Sequence, residues 1–428
     1  MTTPLRLGIA GLGTVGAGVV KIVQRKAELL TARTGRSIQI TAISARNRDK
    51  DRGVRLNDYA WEDDPVALAT RDDVDVFVEL MGGADGPAKA ATEAAIKAGK
   101  DVITANKAML AIHGQALASE AEATNVALRF EAAVAGGIPV VKALTEGLAG
   151  NEVTRVMGVM NGTCNYILTR MESAGLPYDK VFQEASDLGF LEADPNLDVG
   201  GIDAGHKLAL LSSIAFGTQV DFHSVELEGI QRIEIADIEQ AADMGFRIKL
   251  LGVAQMTGRG LEQRMSPCLV PANSPLGQLE GGTNMVVLEG DEVGQIVLRG
   301  AGAGEGPTAS AVMSDVIDIA RGTRLSTFGQ AAHSLTVPTP AKSAVPAPYY
   351  IRMQLQDKPG ALAKVATVLG DAGLSIDRMR QYQHNQGTAP VLIVTHKTTR
   401  EALDTALTGM SGTDVVTSTP VAIRIEEV

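Results

Sequence analysis

A short apolar run, Leu5–Ala10, leads straight into Gly11-Leu12-Gly13-Thr14-Val15-Gly16, a G-x-G-x-x-G register. No other stretch restricts the fold as tightly. A helical pattern follows from Val15 to about Leu30, and then a β-branched run, Ile38–Ile43. The glycine triplet alone is a weak signal, but in strand–turn–helix–strand order it is a strong dinucleotide fingerprint. Gly11, Gly13 and Gly16 let the backbone approach a pyrophosphate resting on the helix N-terminus, with Leu12, Thr14 and Val15 completing the turn. A plain tight βα turn is the alternative.

The end of the second strand bears on which dinucleotide is bound. An acidic residue there would accept from a ribose 2′-hydroxyl. This chain has Ser44-Ala45-Arg46-Asn47-Arg48-Asp49-Lys50, with Arg46, Arg48 and Lys50 where a 2′-phosphate would sit. An arginine fork suits a phosphate, so NADP is favoured over NAD. A solvated basic loop would read the same.

Two further βα units are expected: a strand Val74–Leu80, a helix Pro87–Ala98, and a strand Asp101–Thr104 ending in Ala105-Asn106-Lys107. Ligands bind beyond the carboxyl ends of such strands, which places Thr104 and Lys107 near cofactor or substrate. Leu128–Glu131 reads as another strand, and Ala132–Pro139 as a small-residue turn opening a helix Val140–Leu148. The carbonyls of that turn could hold a monovalent cation beside Glu131, and a packing turn is the plainer reading.

The densest chemistry lies in Gly189–Lys207, where Glu192, Asp194, Asp198, Asp203 and Lys207 are spaced by Pro195 and Gly200-Gly201. The apolar run Leu208–Leu211 predicts a helix from about Ile202, which puts Asp203 and Lys207 on one face. Asp203 then occupies the first turn, where a carboxylate suits the helix dipole. An amine held beside a carboxylate there can bind a polar substrate and move a proton. The competing reading is an exposed i,i+4 ion pair, which is common and weak. A calcium loop fails: Asp194, Asn196 and Asp198 match its first ligands, but Val199 stands at the turn glycine and Gly205 at the closing glutamate.

Val153–Val159 opens a second domain and runs into Met160-Asn161-Gly162-Thr163-Cys164-Asn165-Tyr166, a turn before a helix Ile167–Met171. Cys164 has no histidine near it in sequence, so a small buried residue fits better than a nucleophile. Short β-rich runs at Lys249–Ala254, Met285–Leu288 and Ile296–Leu298, with helices between, predict an antiparallel sheet. Gly300–Pro307 then leads to a helix Ala309–Ala320, read as a return to the nucleotide domain, and residues 338–348 form a Pro/Ala-rich linker. Beyond it come a strand Tyr349–Gln356, the turn Asp357-Lys358-Pro359-Gly360, a helix Ala361–Leu369 and a strand opening at Leu374. A hairpin-like pair, Arg380–Gln383 and Val391–Thr395, a helix Arg400–Leu407 and a strand Val421–Ile425 complete a β-α-β-β-α-β unit.

At 428 residues the chain exceeds a single core. A net charge of −11 without any basic run argues against nucleic acid as a partner. No signal-peptide layout opens the chain, and no apolar run reaches the roughly 18 residues of a membrane span. Cys164 and Cys268 indicate neither a disulfide framework nor a zinc site, so a reducing, cytoplasmic setting is expected.

Taken together, the glycine-rich opening, Ala105-Asn106-Lys107, Asn161–Tyr166 and Leu191–Lys207 resemble the homoserine dehydrogenases over essentially the whole chain. The resemblance implies interconversion of L-homoserine and L-aspartate 4-semialdehyde with a nicotinamide cofactor, in the route to threonine, methionine and isoleucine. It implies Lys207 as proton donor and acceptor, and Glu192 and Asp203 on the amine and hydroxyl side of the substrate. Asp198 and Thr163 would line the same pocket, with Lys107 as a second pocket lysine. It also implies a cation site, sodium above all, at Glu131 and the carbonyls of Val134, Gly136 and Ile138. Gly189 and Gly304 match cofactor-side backbone positions. The C-terminal unit looks like an ACT domain, which pairs with its twin and binds an amino acid, here threonine as feedback inhibitor. Cys164 stands where the family often has threonine.

The expected fold is α/β: a Rossmann-type doubly wound domain (1–140), a central α+β catalytic and dimerisation domain (141–325), a linker (326–348) and a ferredoxin-like ACT domain (349–428). A homodimer or homotetramer is expected. Two rivals remain in view, an acylating aldehyde dehydrogenase using Cys164 and a non-catalytic sensor of dinucleotide and amino acid.

Overall fold

The structure is a computed structural model, and it describes residues 3–192, 194–382 and 387–428. Its first sheet has six strands, β1 (Leu5–Ala10), β2 (Ile38–Ser44), β3 (Ala60–Trp61), β4 (Val76–Glu79), β5 (Asp101–Thr104) and β6 (Leu128–Arg129). They run parallel in the order β3-β2-β1-β4-β5-β6, the doubly wound arrangement. β4 and β5 are buried at every residue, as near-continuous apolar runs must be when helices cover both faces. The order reverses between β1 and β4, and the glycine turn lies at that switch point. Gly11 has φ +98°, and a Cβ there would meet the Leu80 carbonyl oxygen at 2.4 Å. Only glycine fits.

Several local expectations change. The first helical stretch is two helices, Thr14–Arg25 and Ala27–Thr34, because the backbone leaves the helical region at Lys26 (φ −120°). Glu131 does not end a strand; it opens a one-turn helix, Glu131–Val134. The helix expected over Val140–Leu148 is a single turn, Val140–Lys142, continued by a wide π turn, Ala143–Gly147. The helix after Asn161 starts earlier than predicted and spans Gly162–Ala174, since the Asn161 side chain caps it by accepting from Cys164 N–H.

The second sheet comprises β7 (Val153–Val159), β8 (Glu226–Leu227), β9 (Phe246–Thr257), β10 (Gly260–Pro271), β11 (Thr283–Gly290), β12 (Gly294–Ala301), β13 (Tyr349–Gln356), β14 (Ile376–Gln381), β15 (Thr388–Thr395) and β16 (Val421–Ile425). The helices expected between its central runs are absent among the described residues. β9 and β10 form one long antiparallel hairpin and β11 and β12 another. The sheet order is β12-β11-β7-β9-β10-β16-β13-β15-β14, with β8 beside β10. The C-terminal unit therefore extends the second sheet, through parallel pairing of Cys268 with Arg424 and Leu269 with Ile425. Gln383, the expected end of one hairpin strand, lies outside the described residues.

Residues 326–348 run along both domains. Phe328, Ala332 and Leu335 are buried, Gln115 donates to the Ala332 carbonyl at 2.9 Å, and Leu261 bridges Pro340. The helix Glu305–Arg321 returns to the nucleotide domain and packs on Thr14–Arg25, with Lys21 and Glu305 paired at 2.8 Å. No helix among the described residues is long and apolar enough to cross a membrane.

Candidate active site

A cleft of about 580 Å³ opens between the carboxyl ends of the first sheet and the helices on the second. Val15 and Lys107 line it from one side, and Thr163, Glu192, Asp198, Asp203 and Lys207 from the other. Gly201 (φ +80°) turns the chain into the helix Ile202–Phe216, which places Asp203 one turn before Lys207. The Lys207 ammonium donates to Asp203 Oδ2 at 2.6 Å and to the Met160 carbonyl at 2.8 Å. Lys207 is 9% exposed and Asp203 6%, which excludes a solvated surface pair.

Asp203 is shared. Lys107, the first residue of the helix Lys107–Ala123, brings its ammonium to 3.0 Å from Asp203 Oδ1 and to 4.0 Å from Glu192. Asn161 donates to Asp198 at 2.9 Å and to Asp203 at 3.3 Å. Asp198 in turn accepts from the Glu192 N–H at 3.0 Å. Burial would raise the Asp203 carboxyl, but Lys207 and then Lys107 outweigh it and hold it well below the usual carboxylate range. Burial would lower the Lys107 ammonium, and Asp203 outweighs that too, leaving it above its ordinary value.

Other expected residues fall at varied distances from this centre. The Thr163 hydroxyl donates to the Phe190 carbonyl at 2.9 Å at the cleft mouth. Gly189 (φ +72°) and Gly304 (φ +115°) line the cleft in backbone conformations that favour glycine. The Thr104 side chain is fully buried and does not line the cleft, its hydroxyl donating to Glu79 at 2.6 Å and accepting from Asn106 N–H. Arg46, Arg48 and Lys50 are exposed around the β2 end, Arg48 lying 5.6 Å from the Trp61 ring centroid. Arg52, unforeseen from sequence, ties this loop down by donating to the carbonyls of Asn47, Lys50 and Leu12.

Val134 and Gly136 reach the cleft, while Ile138 is buried beside it, its carbonyl accepting from Val140 N–H at 2.8 Å. The Glu131 carboxylate is 1% exposed and accepts from the N–H groups of Val141 and Lys142 at 3.0 and 2.8 Å. Burial and then Asp315 push the Glu131 carboxyl up to about 7.

Cys164 has no exposed surface, and its Sγ contacts the Asp198 carbonyl at 3.3 Å. Burial and the neighbouring Asp198 and Asp203 raise the thiol well above its ordinary value, so it supplies no thiolate nucleophile. Sequence reasoning missed Asn284, which is 2% exposed, lines the cleft and has an Oδ1 without a partner. It packs against Gly302, where a Cβ would meet its Nδ2 at 1.9 Å. A lone asparagine, second in β11 after Gly281-Gly282-Thr283, carries no pattern that could have flagged it.

Comparison with known proteins agrees with this geometry. A family profile described as homoserine dehydrogenase matches residues 139–317, one described as homoserine dehydrogenase, NAD binding domain, matches 11–131, and an ACT domain profile matches 349–408. A homoserine dehydrogenase of Neisseria gonorrhoeae is 41% identical and one of Pseudomonas aeruginosa 39%, each over 99% of both chains. A crystal structure of a homoserine dehydrogenase from Thiobacillus denitrificans superposes with a TM-score of 0.94 at 38% identity, covering 99% of each chain. A hyperthermophilic archaeal homoserine dehydrogenase in complex with NADPH matches 74% of this chain and 97% of its own, with a TM-score of 0.63 and 26% identity. The glycine turn, the buried Lys207–Asp203 pair and these matches across the full length lead to one conclusion: the chain belongs to the homoserine dehydrogenase family.

Proposed function

We propose that the cleft interconverts L-homoserine and L-aspartate 4-semialdehyde, with Lys207 as proton donor and acceptor. The observation that carries this reading is the placement of Lys207. Two of its three N–H donors are held by Asp203 and Met160, which leaves one for a ligand oxygen in the cleft. A bound nicotinamide dinucleotide supplies or accepts the hydride. The residues present suit such a group, because a Cβ at Gly13 would meet nothing within 4 Å, leaving open space over the first turn of Thr14–Arg25.

As hydride reaches the aldehyde carbon, negative charge grows on its oxygen, and the Lys207 ammonium stabilises that oxygen and gives it a proton. In the reverse direction the same amine accepts the hydroxyl proton. Asp203 holds both ammonium groups in place, while Glu192 and Asp198, acidic and beside Lys107, suit the substrate amine. Thr163 lies at the same mouth, with Gly189 and Gly304 on the cofactor side.

The preference for NADP rests on Arg46, Arg48 and Lys50, with Arg52 fixing their loop. A sodium ion, a hard cation taking oxygen ligands, would be held by Glu131 and the carbonyls of Val134, Gly136 and Ile138. The division at 140, 325 and 348, a homodimer or homotetramer, a cytoplasmic setting and threonine as feedback effector complete the reading. Nicotinamide absorbance during turnover of L-homoserine tests it with each cofactor in turn. Turnover with both and a lower KM for NADP is expected; absence of turnover with either would sink the proposal.

A further inference from the structure

The Asn161–Tyr166 segment carries two asparagines one helical turn apart, and only the first belongs to the Lys207 site. Asn161 faces the acids Asp198 and Asp203. Asn165, on the helix Gly162–Ala174, is fully buried and reaches instead the loop before β11, donating to the Gly281 carbonyl at 2.7 Å. Its Oδ1 accepts at 3.1 Å from Lys249 on β9, which is 3% exposed and also donates to the Leu279 carbonyl.

This pair does more than fill space. Burial lowers the Lys249 ammonium to about 8, and no carboxylate pairs with it among the described residues. Removing a cation from water on those terms is costly, and packing alone would be served better by an apolar side chain. The loop it serves has little else to hold it. Among the described residues no backbone–backbone hydrogen bond involves 280–282, and side chains take the carbonyls of Leu279 and Gly281.

That loop is also a wall of the active cleft, lined by Gly282 and, two residues on, by Asn284. Gly282 abuts the first turn of Gly162–Ala174, where a Cβ at Gly162 would meet the Gly282 carbonyl oxygen at 2.6 Å. The same turn follows Met160, whose carbonyl accepts from Lys207, and β11 pairs Met285 with Val159 just before it. Contact is continuous from Lys249 through the loop and the helix start to the carbonyl that seats Lys207.

We propose that Lys249 and Asn165 are positioning residues for the reaction, holding residues 279–282 against the helix start so that the Met160 carbonyl keeps Lys207 aimed into the cleft. This inference rests on Lys207 as the proton donor.

Asn165→Asp and Lys249→Met, each in the full-length protein, test it. Asn165→Asp gives Lys249 a carboxylate while removing the N–H that holds Gly281, so the urea midpoint should stay close to that of the parent enzyme. Its kcat with L-homoserine should nevertheless fall at least about tenfold, with the NADPH dissociation constant within about threefold, since a misplacement of about 1 Å costs about 10²-fold. Lys249→Met removes the ammonium with a side chain of similar reach and should lower kcat of the folded fraction in the same way. Amide hydrogen exchange at residues 280–283 should quicken at least about tenfold in both variants. A purely structural pair would instead lower the urea midpoint and leave kcat of the folded fraction unchanged. A loss in kcat smaller than about tenfold in both variants, or failure of both to fold, overturns this inference alone. Absence of turnover by the parent enzyme overturns the proposed reaction and this inference with it.

Discussion

Two buried ionic clusters divide the work of this chain. At Lys207, two lysines share one carboxylate at the wall of a cleft, and Asn161 holds that carboxylate from behind. At Arg264, three arginines and two glutamates lock β10 to β16 where the sheets merge. The charge types are the same, but the cations differ. An ammonium is a compact charge that can give up a proton, whereas a guanidinium stays charged and grips carboxylates through a planar fork. The lysine cluster suits chemistry and the arginine cluster suits a junction.

The sharpest break between the two comes from removing one anion in each. Asp203→Asn leaves two ammonium groups without their carboxylate, and kcat should fall by about 10²–10³-fold, since displaced acid–base groups lose most of their contribution. Steady-state rates at saturating substrate check this. Glu426→Gln should instead cost about 3–5 kcal/mol of stability, the usual penalty for unpairing a buried charge. Urea unfolding should register that loss while kcat of the folded fraction stays within about threefold, because no member of the arginine cluster touches the cleft around Lys207.

Titration separates regions again, now with opposite signs. Asp203 is held ionised below its ordinary 3.8, so the unfolded chain takes up this proton first as pH falls. Its stabilisation is complete above about pH 4 and is lost as acid carries the folded carboxyl through its lower value. Glu131 is the reverse case. Burial and Asp315 raise it from 4.5 to about 7, so between those values the folded chain binds more protons and stability falls as pH rises. Melting temperature against pH should show a shallower acid limb in Asp203→Asn, and in Glu131→Gln a smaller fall between about pH 4.5 and 7, the part left being that of Asp315, which burial raises to about 6.

The smallest effect is expected at Cys164. Cys164→Ser should keep kcat within about threefold, and iodoacetamide at neutral pH should leave the folded enzyme active, because the thiol is buried and protonated. Rapid loss of activity on alkylation would revive the nucleophile reading.

Much of this site could be read along the chain because its chemistry is local. Asp203 and Lys207 meet through helix periodicity, and Gly11, Gly13 and Gly16 announce their turn by spacing alone. Lys107 was placed near the ligand by strand-end logic, yet its pairing with Asp203 joins two domains, and no local pattern encodes that distance. Thr104 followed the same logic and proved to be buried, because a strand-end hydroxyl turns inward when a neighbour such as Glu79 can accept from it. β10 escaped notice since Glu262, Gln263 and Arg264, all buried, break the apolar signature, and Pro267 and Pro271 count against a strand. The merged sheet depends on that strand, so the docking of the C-terminal unit was hidden with it.

The claim that Lys207 moves the proton is tested most directly by single-turnover mixing of Lys207→Ala with aspartate 4-semialdehyde and NADPH. NADPH binding should be followed by fluorescence in the same sample. The account predicts a hydride-transfer rate lower by about 10²–10⁴-fold with the NADPH dissociation constant unchanged within about threefold. A rate within about tenfold of the parent enzyme would contradict it.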